Sequence, residues 1–217
     1  MCICSWWYPT SHPTINFILA FNRDEKMDRN TLLAQEWKLE GGEASFISGL
    51  DGENSIQKEN INGINCYKQA GTWLAVGSNG RIAFLTNIPN PRQVENTSKK
   101  YHSRGELVTN YLSGNSGIDE YISKVVDELE NYKGFNLVLG DFNKKEMKLL
   151  AHPFEESNDN QYSKVTSLKL EQVYTLSNVQ FGEKLTKIDL LQDKIQSVIR
   201  EDMDLNTIAK EVLKIMG

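Results

Sequence analysis

The chain opens MCICSWW, and the second residue is the first that could do chemistry. A methionine ahead of a residue as small as cysteine is normally trimmed. Removal of Met1 would leave Cys2 carrying a thiol and a free α-amine on the same carbon. An α-amine has an ordinary pKa of about 7.7–8.0, so part of it is neutral at cellular pH and can take the thiol proton. Two further groups suit that chemistry. Arg23, in the tetrapeptide Asn22-Arg23-Asp24-Glu25, would favour the thiolate, and Asp24 beside it could orient the amine. Asn87 in LTN and Asn178 in LSN each end an apolar stretch, and their carboxamides can donate to an oxyanion. Each residue also has a plainer reading. Cys2 could be a small buried hydrophobe, the tetrapeptide a solvated turn with a local Arg23–Asp24 ion pair, and the asparagines ordinary turn residues.

The elements that would hold these groups can be read from apolar periodicity. Cys2–Tyr8 reads as a strand, and the continuous apolar run Asn16–Phe21 as a buried one that ends on the charged tetrapeptide. TWLAVGSNGRIAFLTN predicts a hairpin about Ser78-Asn79-Gly80, with Asn-Gly supplying positive φ angles. Ser103 and Glu106 have capping-box spacing ahead of LVTNYL. A second helix over Ile118–Tyr132 places Ile118, Tyr121, Ile122, Val125, Val126 and Leu129 on one stripe. GFNLVLGD and EMKLLAH predict another hairpin about Asn143-Lys144-Lys145, and FEESNDNQYSKVTSL an exposed loop. VYTLSN is a short strand ending on Asn178. From Glu183 the period becomes helical through Leu185, Ile188, Leu191, Ile195, Val198 and Ile199, with a last helix marked by Ile208, Val212 and Ile215. Without repeats or a linker, the reading is one α+β domain over 1–217 with a helical segment over 183–217.

Composition narrows the function. A net charge of −5 argues against a nucleic-acid binder, which would carry a basic stripe. No apolar run approaches the ~20 residues that span a bilayer, and the start lacks a signal-peptide pattern. Three cysteines, Cys2, Cys4 and Cys66, form no disulfide framework and suit a reducing compartment, so a cytoplasmic protein is expected. The Cys2-Ile-Cys4 pair has no second pair to complete a zinc site, and no metal is expected.

In order, MCICSWW, FILAFNRDEKMDR, AGTWLAVGSNGRIAFLTN, SRGELVTNYLSG, GFNLVLGD and VYTLSN resemble the blocks of the NRDE family, also called the Transport and Golgi organization family. The resemblance covers about residues 1–180. It implies an N-terminal-nucleophile hydrolase-like fold, a four-layer αββα sandwich of antiparallel sheets, related to enzymes in which a cysteine exposed by Met removal attacks an amide carbonyl. By motif, Cys2 takes the nucleophile position, Arg23 and Asp24 fall on the second strand, and Asn87 and Asn178 lie at the strand ends that help form the oxyanion site. The closing hairpin usual in the family is absent from the pattern after Glu183. The expectation is a shortened member, or a sheet completed by a partner chain such as a second copy in a homo-oligomer. The leading reading is therefore a cysteine amidohydrolase acting on a small-molecule C–N amide, with no required cofactor and with specificity set by loops such as Gly52–Asn65. The family also implies an alternative: a non-catalytic carrier of haem or an acyl-CoA-like lipid. Cys2, Cys4, His12, His102 and His152 are then the available haem ligands, and the Trp6–Trp7 pair the natural wall of an apolar slot.

Overall fold

A computed structural model describes residues 2–89, 100–153, 163–199 and 204–216. In chain order the strands before the first helix are β1 (Ile3–Trp7), β2 (Ile18–Asn22), β3 (Thr31–Leu39), β4 (Ser45–Asp51), β5 (Ile56–Ile61), β6 (Ile64–Gln69), β7 (Leu74–Gly77) and β8 (Arg81–Asn87). They are followed by α1 (Gly105–Ser113), α2 (Ile118–Asp127), β9 (Phe135–Asp141), β10 (Glu146–His152), β11 (Lys164–Ser167), β12 (Val173–Ser177), α3 (Thr186–Val198) and α4 (Leu205–Met216). The architecture is mixed α and β, with two sheets and a few helices. The chain divides into two compact units, Met1–Glu25 with Lys169–Gly217, and Lys26–Leu168.

The first unit is built on a three-stranded antiparallel sheet, ordered β12-β1-β2. Side chains alternate across β1, and Trp7 joins Val173, Leu191, Ile195, Ile208 and Val212 in an apolar cluster formed with α3 and α4. That is why the last fifth of the chain has helical periodicity: its apolar stripe covers one face of the sheet. Small hydroxyls on the same face satisfy one another or the backbone. Thr175 Oγ1 donates to Ser5 Oγ at 3.0 Å, and Ser5 Oγ to the Tyr174 carbonyl at 2.9 Å. Two devices fix the β1–β2 connection. The Glu171 carboxylate accepts from the Thr10 hydroxyl and from the Thr10 and Ser11 backbone, and His12 Nδ1 accepts from the Ile15 N–H at 3.0 Å.

The second unit carries a nine-stranded sheet, ordered β11-β10-β9-β8-β7-β4-β3-β6-β5. Within it β3 and β6 run parallel, so the sheet is not purely antiparallel as expected. Leu107, Tyr111 and Leu112 of α1 and Ile118, Tyr121 and Ile122 of α2 pack with Trp37, Phe46, Phe135 and Leu137 from the strands. The predicted stripe is buried at Ile118, Tyr121, Ile122 and Val125, but Val126 is exposed, and α2 ends at Asp127 rather than Tyr132, leaving Leu129 in a short 3₁₀ turn beyond it.

Local chemistry departs from the sequence reading at four places. The hairpin turn holds positive φ at Gly80 alone (φ 78°); Asn79 works through its side chain, donating to the Leu112 carbonyl at 2.9 Å. A three-residue loop of this kind needs one left-handed residue, not two. The capping box does not form: Arg104 is the N-cap with no side-chain cap, and Glu106 accepts from Gln69 instead. Gly52–Asn65 is not an open loop, because it contains β5 and the start of β6. In the segment read as an exposed loop, Lys164–Ser167 pairs with β10 as β11, while residues 154–162 lie outside the described residues.

The end of β4 supports a stability prediction. Arg29 Nη2 donates to Asp51 Oδ2 at 2.5 Å, and Asn54 Nδ2 donates to the same oxygen at 2.8 Å. Burial alone would raise the Asp51 carboxyl, but these hydrogen bonds and the guanidinium charge hold it below the usual carboxylate range. A carboxyl depressed in the folded state stabilises the fold above its unfolded pKa, and that contribution is lost as pH falls through the folded value. Asp51→Asn is therefore expected to cost on the order of 2 kcal/mol at pH 7. In urea titrations the gap from wild type should shrink steadily below about pH 4. A gap independent of pH would show that the charge at Asp51 carries no stability.

Candidate active site

Strand register brings four of the five predicted site residues together. Ile3 of β1 pairs with Asn22 on one side and with Ser177 on the other. One residue beyond that rung stand Cys2 just ahead of β1, Arg23 just after β2 and Asn178 just after β12, with Asp24 next along, so Arg23 and Asp24 follow the second strand rather than lying on it as expected. Cys2 Sγ lies 3.8 Å from the Asp24 carbonyl oxygen, and Ser177 Oγ donates to the Cys2 carbonyl at 2.8 Å. The Arg23 guanidinium is 3.5 Å from Glu25 Oε2. Asn178 Oδ1 is buried. Asn87, the fifth residue, ends β8 in the second unit, where it pairs with Phe135.

The electrostatics at Cys2 run against one expectation. Burial pushes the thiol above its ordinary value, and this outweighs the pull of the chain's α-amine, Arg23 and Lys187, while Glu25 adds to the rise. A half-buried sulfur loses more by desolvation of the thiolate than one guanidinium restores. Ser177, Glu25 and Lys187 thus shape the site. The first two could be suspected from their place beside Asn178 and Asp24, but nothing in sequence ties Lys187 of α3 to Cys2.

The other candidate ligands are largely committed elsewhere. Cys4 and Cys66 are buried, and burial drives the Cys4 thiol far above its ordinary range. His12 Nδ1 accepts from backbone, and His152 Nδ1 is 2.9 Å from Ser163 Oγ. His102 is exposed and packs edge-on against Tyr132. Trp6 and Trp7 are core residues, 1% and 6% exposed, with Trp6 stacked on Tyr174 at 5.4 Å.

Cys66, flanked by polar residues in sequence, is 2% exposed and so cannot serve as an accessible reference thiol. Native alkylation with iodoacetamide is expected to modify Cys2 alone, with all three cysteines reacting in urea. Because burial raises the Cys2 thiol, its rate should keep climbing through and past the ordinary thiol range near pH 8.5. Native labelling of Cys66 as fast as Cys2 would contradict this picture.

The sequence profile of Transport and Golgi organisation 2 matches residues 1–217, through the C-terminal helices as well as the strands. The chain belongs to that family. Its curated relatives include the mouse Transport and Golgi organization 2 homolog, 34% identical over 144 residues, which is 65% of this chain and 45% of the mouse protein. The human homolog is 35% identical over 144 residues, again 65% and 45% of the two chains. The bovine homolog is 32% identical over 155 residues, 70% of this chain and 49% of its own. The chain thus spans about half the length of the curated relatives it matches. No helix among the described residues is long and apolar enough to cross a membrane.

Proposed function

We propose that this family member is a cysteine amidohydrolase of the N-terminal-nucleophile type, acting on a small C–N amide. The observation that carries the reading is the position of Cys2, Arg23, Asp24 and Asn178 at one end of the three-stranded sheet, just beyond the Ile3–Asn22 and Ile3–Ser177 rung. In the proposed reaction, removal of Met1 places the α-amine on Cys2 itself. The amine takes the thiol proton, and the Cys2 sulfur forms a bond to the amide carbonyl carbon. Arg23 supports the thiolate, and the Asn178 carboxamide donates to the oxyanion. The C–N bond then breaks, the leaving amine takes the proton back from the α-amine, and water hydrolyses the thioester to free the carboxylate. Asp24 acts as a positioning residue for the amine.

A screen of acyl amides with purified protein tests the reading. Wild type is expected to release amine and Cys2→Ala to release none. Hydrolysis that survives in the variant would assign the chemistry to another residue.

A further inference from the structure

In the second unit a polar cavity of about 310 Å³ opens between the Gly41-Gly42 turn after β3, the Ser78-Asn79 turn between β7 and β8, and the C-terminal end of α1. Backbone and side-chain bonds fix its walls. Gly41 holds φ at 72°, and the Gly42 N–H donates to the Leu39 carbonyl at 3.1 Å. Asn79 Nδ2 donates to the Leu112 carbonyl at 2.9 Å, while Asn79 Oδ1 accepts from the Arg81 backbone N–H at 3.3 Å. What the other groups offer a ligand is mostly lone pairs. The Ser113 hydroxyl donates to the Thr109 carbonyl, which leaves its oxygen to accept. Ser78 Oγ accepts from the Ser45 N–H at 3.1 Å and keeps its proton to donate. Glu43 and the Asn115 carboxamide have no hydrogen-bond or ion-pair partner among the described residues. Arg81 stands close by but does not line the cavity. Its guanidinium donates to the Gly114 and Tyr111 carbonyls at 2.6 and 3.2 Å, so its charge is committed to the end of α1. Among the described lining residues Glu43 therefore carries the one formal charge. A carboxylate, an acceptor-only hydroxyl and no cationic donor together complement a ligand rich in donors, and a primary ammonium has three donors and no acceptor.

We propose that this cavity binds a small hydroxylated molecule carrying a primary ammonium, with the ammonium at Glu43 and the hydroxyls at Ser78, Ser113 and Asn115. Its volume lies at the lower end of the ~300–1,000 Å³ of ligand sites, which suits a ligand no larger than one sugar ring. The site goes beyond the amidohydrolase reading and does not depend on it, because every lining residue falls between Gly41 and Asn115, within the second unit.

Isothermal titration calorimetry on the full chain tests the site, in phosphate buffer at a pH where the amines are protonated. The probes are glucosamine and tris(hydroxymethyl)aminomethane, with glucose and glucuronate as the neutral and anionic counterparts. Saturable binding of at least one ammonium is expected, with glucose and glucuronate at least tenfold weaker. Glu43→Gln, at an exposed position, should weaken the ammonium at least tenfold while leaving glucose and the melting temperature unchanged. Asn115→Trp should fill the cavity and abolish binding with the fold intact, because Asn115 is exposed and its contact with Arg81 is made by its backbone carbonyl. Cys2→Ala should bind like wild type, so failure of the hydrolase reading leaves this one intact. No saturable binding of either ammonium would overturn the site. So would equal affinity for glucose, or ammonium binding indifferent to Glu43→Gln or to Asn115→Trp.

Discussion

Cys2→Ala is expected to lower kcat/KM for amide hydrolysis by at least about 10³-fold, the scale seen when a covalent nucleophile is removed. The size of the effect follows from the role: without the sulfur no thioester forms, and water would have to attack the amide directly. The fold should be untouched. Cys2 precedes β1, its side chain is half-buried, its thiol makes a long 3.8 Å contact to the Asp24 carbonyl, and the short bond from Ser177 Oγ is made to its backbone carbonyl. Alanine is also small enough for Met1 to be trimmed, so the substitution removes the thiol without changing the processing. Unchanged urea midpoint with lost turnover is the expected pair of results. Under the alternative, with Cys2 as an iron ligand for haem, the same substitution would instead weaken haem binding.

Trp7→Ala is expected to cost about 3–5 kcal/mol in urea denaturation, as large-to-small changes at buried aromatics do. Trp7 is 6% exposed, meets His12 edge-on at 5.9 Å, and belongs to the cluster that attaches α3 and α4 to the sheet. Removing it opens a cavity beneath both helices. A slot-forming tryptophan, as the carrier reading has it, would lose ligand affinity with little change in stability. An unaltered denaturation midpoint would therefore contradict the packing described for Trp7.

The parts of this fold that were legible in sequence share a physical cause. β1, β2 and β12 are short and mostly apolar, and each stops abruptly on polar residues, so both the strands and the residues at their ends could be named. The α3 and α4 stripes were legible because a single buried face imposes a 3.6-residue period. β5 was not: Ile56–Ile61 is an edge strand exposed at every position, and its IQKENI sequence reads as a polar loop. β11 failed for a similar reason, being four residues on the opposite edge. The parallel β3–β6 pairing is set by contacts distant along the chain, which no local pattern encodes. The gathering of Cys2, Arg23, Asp24 and Asn178 at one sheet end was legible because each stands where a strand stops, while the direction of the Cys2 shift was not. That shift depends on how deeply the sulfur is buried and on Lys187, which arrives from a helix 185 residues away in sequence.

The central claim is that Cys2 works as an N-terminal residue, and the intact mass of the purified protein tests it most directly. The account predicts a mass lower than that of the full translation product by one methionine residue, with Cys2 carrying the free α-amine. A protein that keeps Met1 would have its Cys2 nitrogen locked in a peptide bond, unable to take the thiol proton, and that result would contradict the mechanism.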